Sequence, residues 1–186
     1  MTLDPKEAAT SLDDVAAIER RTREALYYAS TSEVLLLWGV LTVVGNLLSW
    51  LEPQWSGLIW LPIDIGGTIA TFAIVRRRVP RAGKRRAGMQ WLASYGAFVG
   101  FGIIVVILLW PLTARQQAAF WPTLVMFAYV LIGIWVGRFF LFTGIAATIA
   151  ILLGYYFAGD WFPLWLALVF GGGLIAGGLW LRRVAV

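Results

Sequence analysis

Residues 139–158 read FFLFTGIAATIAILLGYYFA, an apolar stretch that contains no charged side chain. A bilayer has a hydrocarbon core about 30 Å thick, which about 20 apolar residues cross when they are helical. The stretch has this length and this composition. It therefore predicts a membrane-spanning helix.

Stretches of similar length and polarity occupy most of the remaining chain. The composition agrees, since 60% of the residues are hydrophobic and 13% are charged, against about half and a quarter in soluble domains. We therefore expect an all-α polytopic membrane protein with six transmembrane helices in three helical hairpins, preceded by a cytoplasmic amphipathic helix. The other five predicted spans are 34–51, 58–75, 90–110, 118–137 and 161–181.

The predicted organisation has three parts: a cytoplasmic N-terminal segment (1–32), a transmembrane domain (33–183) and a cytoplasmic tail (184–186). Basic residues fall almost entirely in alternate connections, and Arg115 is the exception. The positive-inside rule then places both termini in the cytoplasm, and we expect a multi-pass protein of a bacterial-type inner (plasma) membrane.

The densest basic segment joins the second and third predicted spans. Its residues are Arg76, Arg77, Arg78, Arg81, Lys84, Arg85 and Arg86. A basic residue near an acidic leaflet contributes about 1 kcal/mol of attraction, so we expect contact with anionic lipid headgroups. Because the segment is a short loop between spans, this interpretation is favoured over nucleic-acid binding.

The opposite connections are rich in tryptophan and proline. Pro62, Pro122 and Pro163 each follow a Trp closely, and proline is favoured in the first turn of a helix because its missing N–H costs nothing there. The pattern predicts that the spans begin near these prolines. Indole rings favour the headgroup level, so this face is expected at the outer interface.

The segment 11–30 has apolar residues at helical spacing and an N-terminal capping pattern, Ser11 with Asp14. Two interpretations stay open. The helix lies on the inner headgroups, or it docks a cytosolic protein partner. No signal peptide is indicated at the N-terminus, which is acidic and lacks a short apolar core.

Cysteine and histidine are both absent. This removes thiolate nucleophiles, Cys/His zinc sites, haem ligation through imidazole and the usual general base. No P-loop or dinucleotide-binding pattern is present either. We expect a protein that is not an enzyme, with no catalytic residues, no metal site and no cofactor.

Asp64 is the one carboxylate inside a predicted span, and acidic residues within a membrane are costly enough to be candidates for function. A structural role competes with this interpretation. If the second span begins at Pro62, Asp64 occupies the third helical position, where it accepts hydrogen bonds from free N–H groups.

Two polar stripes accompany Asp64. Asp64, Thr68 and Thr71 are spaced i, i+4, i+7, and Thr42, Asn46 and Ser49 repeat that spacing on the preceding span. In antiparallel helices, Asn46 and Asp64 are expected at similar depth in the outer half. The stripes predict either interhelical hydrogen bonds or a binding site.

Two functions are open, the first drawn from these stripes and the second from the low polarity of the bundle and the amphipathic segment 11–30, which would dock the partner. In the first, Asp64, Asn46, Thr68 and Thr42, with Trp50, Trp60 and Trp121 as walls, form an outward-facing pocket of a small-solute or ion carrier. In the second, the bundle anchors an accessory or regulatory subunit of a larger membrane assembly. Three glycine pairs, Gly96 with Gly100, Gly133 with Gly137 and Gly173 with Gly177, predict close helix packing.

Overall fold

The computed structural model describes residues 30–78, 84–136 and 138–184, so the predicted amphipathic helix 11–30 lies outside the described residues except for Ser30. Helices account for nearly all of this part of the chain, and it contains no strand. The helices are α1 (Ser30–Leu51), α2 (Ser56–Arg78), α3 (Lys84–Leu108), α4 (Ala114–Val136), α5 (Arg138–Phe157) and α6, a continuous helix of three segments (Phe162–Leu166, Ala167–Gly171 and Gly172–Val184).

Five of these helices are long and apolar enough to cross a membrane. The exception is α3, whose apolar stretch, Leu92–Leu108, falls in the shorter class of 10–17 residues. Large apolar side chains are exposed along the surfaces of all six helices, as lipid-facing helices require. The chain is a helical, multi-pass membrane protein.

Two of the three prolines lie deeper in their helices than the sequence pattern predicted. Pro62 is inside α2, which already begins at Ser56, and Pro122 is inside α4, which begins at Ala114. Only Pro163 lies in a first helical turn. The expectation that Pro62 and Pro122 lie in a first helical turn was wrong, because helix already begins at Ser56 and at Ala114. At the start of α4, the N–H of Thr113 donates to the side-chain oxygen Oε1 of Gln116 at 2.8 Å.

Helix α1 packs between α2 and α6. On one side, Gly45 of α1 lies against the ring of Trp60, and Gly67 of α2 lies against the ring of Trp38. On the other side, an added Cβ on Gly39 would lie 3.0 Å from the carbonyl oxygen of Gly171, and one on Gly171 would lie 3.2 Å from the carbonyl oxygen of Gly39. The first and last helices therefore meet at backbone distance, which we call the α1–α6 seam.

The other half of the bundle has its core between α4, α5 and α6. Met126, Ile151, Phe162 and Leu166 form a buried cluster there. Gly144 of α5 approaches the backbone of α4 at Met126, and the indole N–H of Trp165 donates to the carbonyl of Ala150 at 2.9 Å. These contacts align α5 with both of its neighbours.

Helix α6 changes partners along its length. Phe162 and Leu166 pack in the α4–α5 core, whereas Gly171, Ile175 and Gly178 contact α1. Between these two sets, Ala167–Gly171 is a π-helical turn. A π turn contains one residue more than an α turn, so it rotates the faces that follow. The turn redirects α6 from one partner to the next.

Contacts bring three connections to one end of the bundle. Trp50 stacks on Trp161 at 5.8 Å, and the guanidinium of Arg115 donates to the carbonyl of Tyr155. We call this the tryptophan end, made by residues 50–56, 109–115 and 155–161. The opposite end, which carries Arg76, Arg77, Arg138, Arg182 and Arg183, is called the arginine end.

Candidate functional site

The polar stripe of α1 is buried in the bundle. Thr42, Asn46 and Ser49 are each less than 9% exposed, and Asn46 Nδ2 donates to the carbonyl of Thr42 at 2.9 Å. Ser49 accepts a hydrogen bond from the hydroxyl of Ser56 at 3.2 Å. The stripe lies between the residues of α1 that contact α2 and those that contact α6. These polar atoms are thus used inside the fold.

A second set of hydrogen bonds connects α1 to the inner half of α2. Trp38 Nε1 donates to Thr71 Oγ1 at 2.9 Å, and Thr71 in turn donates to the carbonyl of Gly67 at 2.8 Å. Gly67 lies against the Trp38 ring. Glycine at this position leaves the space that the indole needs to reach Thr71.

Thr68 connects α2 to α3. Its hydroxyl is 2.7 Å from the hydroxyl of Tyr95, and the Tyr95 ring meets Phe72 edge-on at 6.4 Å between centroids. Thr68 and Phe72 are four residues apart, so they lie on one face of α2. Tyr95 therefore joins α3 to this face through both its hydroxyl and its ring.

Asp64 differs from the other residues of these polar stripes, because its side chain is not used in packing the described helices together. Its side chain is exposed and makes no hydrogen bond or ion pair with any residue that the structure describes. Because α2 begins at Ser56, Asp64 lies eight residues inside the helix, beyond the free N–H groups of the first turn. The capping role is therefore wrong.

The surroundings of Asp64 follow from its neighbours on α2. Ile63 and Gly67 contact α1, whereas Thr68 and Phe72 contact α3. Asp64 follows Ile63 directly and precedes Thr68 by one turn. Its side chain thus lies on the arc of α2 between α1 and α3, closer than Thr68 to the tryptophan end.

The register of α1 and α2 differs from the expected one. Gly45 contacts Trp60 and Ile63, and Gly67 contacts Trp38 and Leu41. These contacts place Asp64 at the depth of Thr42, with Asn46 about one helical turn closer to the tryptophan end. Asn46 and Asp64 are therefore not level, because the close approach at Gly45 and Gly67 sets the register.

The three predicted aromatic walls take part in packing at separate places. Trp60 lies against Gly45, Trp121 lies against Gly102 of α3, and Trp50 stacks on Trp161. The structure thus joins Thr42 to Asn46 by a hydrogen bond, whereas Asp64 and Thr68 lie one helical turn apart on α2. Trp50 lies at the tryptophan end.

The predicted headgroup-binding residues lie only partly in the described chain. Arg76 and Arg77 are exposed at the end of α2. The backbone is helical at Arg78, Lys84, Arg85 and Arg86, whereas Arg81 lies outside the described residues.

Arg115 has a more specific place than sequence reasoning gave it. Its guanidinium carbon lies 5.4 Å from the ring centroids of both Tyr155 and Phe162. It also donates to the carbonyl of Tyr155, in the last turn of α5, where carbonyls lack helical partners. In the sequence, the only signal for this role was that Arg115 is a basic residue in a tryptophan-rich connection. Through this hydrogen bond and these two ring contacts, Arg115 connects α4 to the α5–α6 connection.

Acidic residues in 30–78, 84–136 and 138–184 form no group of three that could hold a metal ion. A cation at Asp64 would be held by one carboxylate, with any further ligand from hydroxyl or carbonyl oxygens. No protein-family model, curated protein or solved structure matches this chain.

Proposed function

We propose that this protein is a solute-binding or carrier component of the membrane that binds a small cationic solute or a cation at Asp64. One observation carries the proposal: Asp64 is an exposed carboxylate within a membrane-spanning helix and has no partner among the described residues. An Asp in the middle of a spanning helix costs about 2.5–3.5 kcal/mol on the insertion scale. A cation bound at the carboxylate offsets this cost.

The surrounding polar groups support a distinct role for Asp64. Thr68, Thr71 and Ser49 are all bonded across helix pairs, so they explain how the bundle is held together. Asp64 takes no part in this. A residue that is costly in the membrane and unused by the fold is a candidate for binding.

The proposed topology has six spans with both termini in the cytoplasm of a bacterial-type inner membrane. The apolar stretch of α3 ends at Leu108 and begins no later than Leu92, which is near the lower limit of about 17 residues for a span. The arginine end then faces the cytoplasm and contacts anionic headgroups. Asp64 is reached from outside, and the role involves neither catalysis nor a cofactor.

A second candidate function is an accessory or regulatory subunit. The observation that favours it is again the exposure of Asp64, because a basic side chain on a partner's membrane helix would pair with it equally well. In this case the segment 11–30 would provide a second docking surface on the cytoplasmic side.

The test compares Asp64→Asn with the unsubstituted protein, purified in detergent and titrated calorimetrically with Na⁺, K⁺ and methylammonium. We expect binding of at least one of these cations, and a loss of at least about tenfold in affinity on removal of the charge, with little change in melting temperature. Asp160→Asn is the matched control, since Asp160 is an exposed acid in the turn Gly159–Trp161 and should leave binding unchanged.

Equal cation affinity in Asp64→Asn and the unsubstituted protein would contradict the carrier proposal. Co-purification of a second membrane protein that is lost on Asp64→Asn, without cation binding, would favour the accessory subunit.

A further inference from the structure

The contact between α2 and α3 lies directly inward of Asp64. Thr68 is one helical turn from Asp64 toward the arginine end, and its hydroxyl is 2.7 Å from that of Tyr95. Phe72, a further turn inward, meets the Tyr95 ring edge-on. A solute that reached Asp64 along this side of α2 would meet these three side chains next.

The exposure of the side chains changes along the face of α2 that carries Asp64. Asp64 itself is exposed, whereas Thr68, Phe72 and Tyr95 are each partly buried. Exposure therefore decreases within one turn along this face of α2. The Thr68–Tyr95 hydrogen bond lies at this boundary.

Helix α3 has free space beside two glycines that lie between Tyr95 and Gly102. Nothing among the described residues of other helices lies within 4 Å of a Cβ added to Gly96 or to Gly100. Farther toward the tryptophan end, Gly102 is held tightly, with ring atoms of Trp121 at 2.6 Å from such a Cβ and Leu124 at 2.9 Å. Helix α3 thus has a close contact with α4 at Gly102 and free space beside Gly96 and Gly100, on a face that is turned away from Tyr95.

We propose that the Thr68–Tyr95 hydrogen bond closes the Asp64 site toward the arginine end, and that α3 pivots at Gly102 to open it. This inference rests on the proposed function, because Asp64 is taken to be a binding site and the arginine end to face the cytoplasm. Tyr95 is a gating residue in this proposal, because it acts through its hydrogen bond with Thr68. Separation of Tyr95 from Thr68 would expose Asp64 to the cytoplasmic side.

The test uses the absence of cysteine from the chain, so that Asp64→Cys carries a single thiol. Its reaction with an impermeant methanethiosulfonate is measured in right-side-out and in inverted membrane vesicles. With Tyr95 and Thr68 intact, we expect reaction from the tryptophan end only. Adding Tyr95→Phe should raise the reaction rate from the arginine end about three- to tenfold. Loss of one interhelical hydrogen bond should increase the population of the open state by this factor.

Thr68→Val, combined with Asp64→Cys, is the second variant and should give the same increase if Tyr95→Phe fails to fold. Tyr129→Phe is the control, because it removes a tyrosine hydroxyl from α4 and should leave the rate unchanged. An unchanged rate from the arginine end in both test variants, or an equal rise in the control, would overturn the closure.

These outcomes are independent of cation binding, because Asp64→Cys has no carboxylate. A rise in the two test variants alone would support the closure even if titration found no cation. Cation binding with an unchanged labelling rate would leave the proposed function standing and refute the gate.

Discussion

At the scale of single residues, Thr71 shows how a small polar side chain stabilises a membrane bundle. Its hydroxyl donates to the carbonyl of Gly67 in its own helix and accepts the indole N–H of Trp38 from α1. One hydroxyl thus uses both its proton and a lone pair, and only the second bond connects two helices. Thr123 makes the first kind of bond alone, to the carbonyl of Ala119 at 2.8 Å.

Thr71→Val should therefore destabilise the protein more than Thr123→Val. Both substitutions remove an intrahelical hydrogen bond, but only Thr71→Val leaves a tryptophan N–H without its acceptor. We expect a difference of about 0.6–1.7 kcal/mol in the free energy of unfolding. Thermal unfolding of the two variants in the same detergent measures it, and equal melting temperatures would show that the Trp38 bond contributes nothing.

The sequence predicted the polar face of α1 better than it predicted the position of Asp64 within α2. The spacing of Thr42, Asn46 and Ser49 identified one buried face because helical periodicity alone determines it. The role of Asp64 depended on where α2 begins, and Pro62 was a misleading signal because it lies inside α2, in the second helical turn, where proline is uncommon. Contacts such as Thr68 with Tyr95 depend on the packing of α3, which no local pattern encodes.

At the scale of helices, close approach depends on which glycines meet a neighbour. Gly133 lies against the backbone of Leu141, as its predicted packing role requires. No neighbouring helix in the described chain lies within 4 Å of an added Cβ at Gly96, Gly100, Gly173 or Gly177, so close packing was wrong for those positions. Small-residue spacing defines a helix face, but the order of helices decides what that face meets.

The α1–α6 seam offers a matched pair of substitutions. A Cβ on Gly39 would lie 2.6 Å from the Ile175 side chain and 2.9 Å from its backbone nitrogen, whereas one on Gly177 meets no atom within 4 Å. Because backbone cannot move aside as a flexible side chain can, Gly39→Ala should cost about 1–3 kcal/mol of unfolding free energy. Gly177→Ala should be neutral or slightly stabilising.

Thermal unfolding of both alanine variants, with yield after purification, tests this difference. A Gly39→Ala protein as stable as Gly177→Ala would show that α1 and α6 separate easily, which is incompatible with a tight seam.

At the scale of the whole molecule, the helical architecture was predictable because length and hydropathy are properties of each segment. The bounds of the six predicted spans lie within six residues of the helix bounds, and the differences are largest at the starts of α1, α3 and α4. The neighbours of each helix were not predictable, and the contact of the first helix with the last is one example.

The proposed topology predicts which connections are accessible from outside the cell. Single cysteines at Gln54, Gly83 and Gln117 provide probes in a chain without native thiols. An impermeant thiol reagent applied to intact cells should label Gln54→Cys and Gln117→Cys but not Gly83→Cys. Labelling of Gly83→Cys alone would invert the orientation.

The α1–α6 seam also governs the order of events during synthesis. Of the six described helices, α1 is made first and α6, one of the two helices that it contacts, is made last, roughly ten seconds later at usual translation rates. During that interval Gly39, Val43 and part of the polar face of α1 can contact only lipid or a chaperone. A chain that stops at Ala158 should therefore be degraded faster than the full chain in a pulse-chase experiment, and supplying 159–186 as a separate polypeptide should restore its lifetime. We therefore expect the newly made protein to be most susceptible to proteolysis until α6 has been inserted, even though the first five helices are inserted earlier.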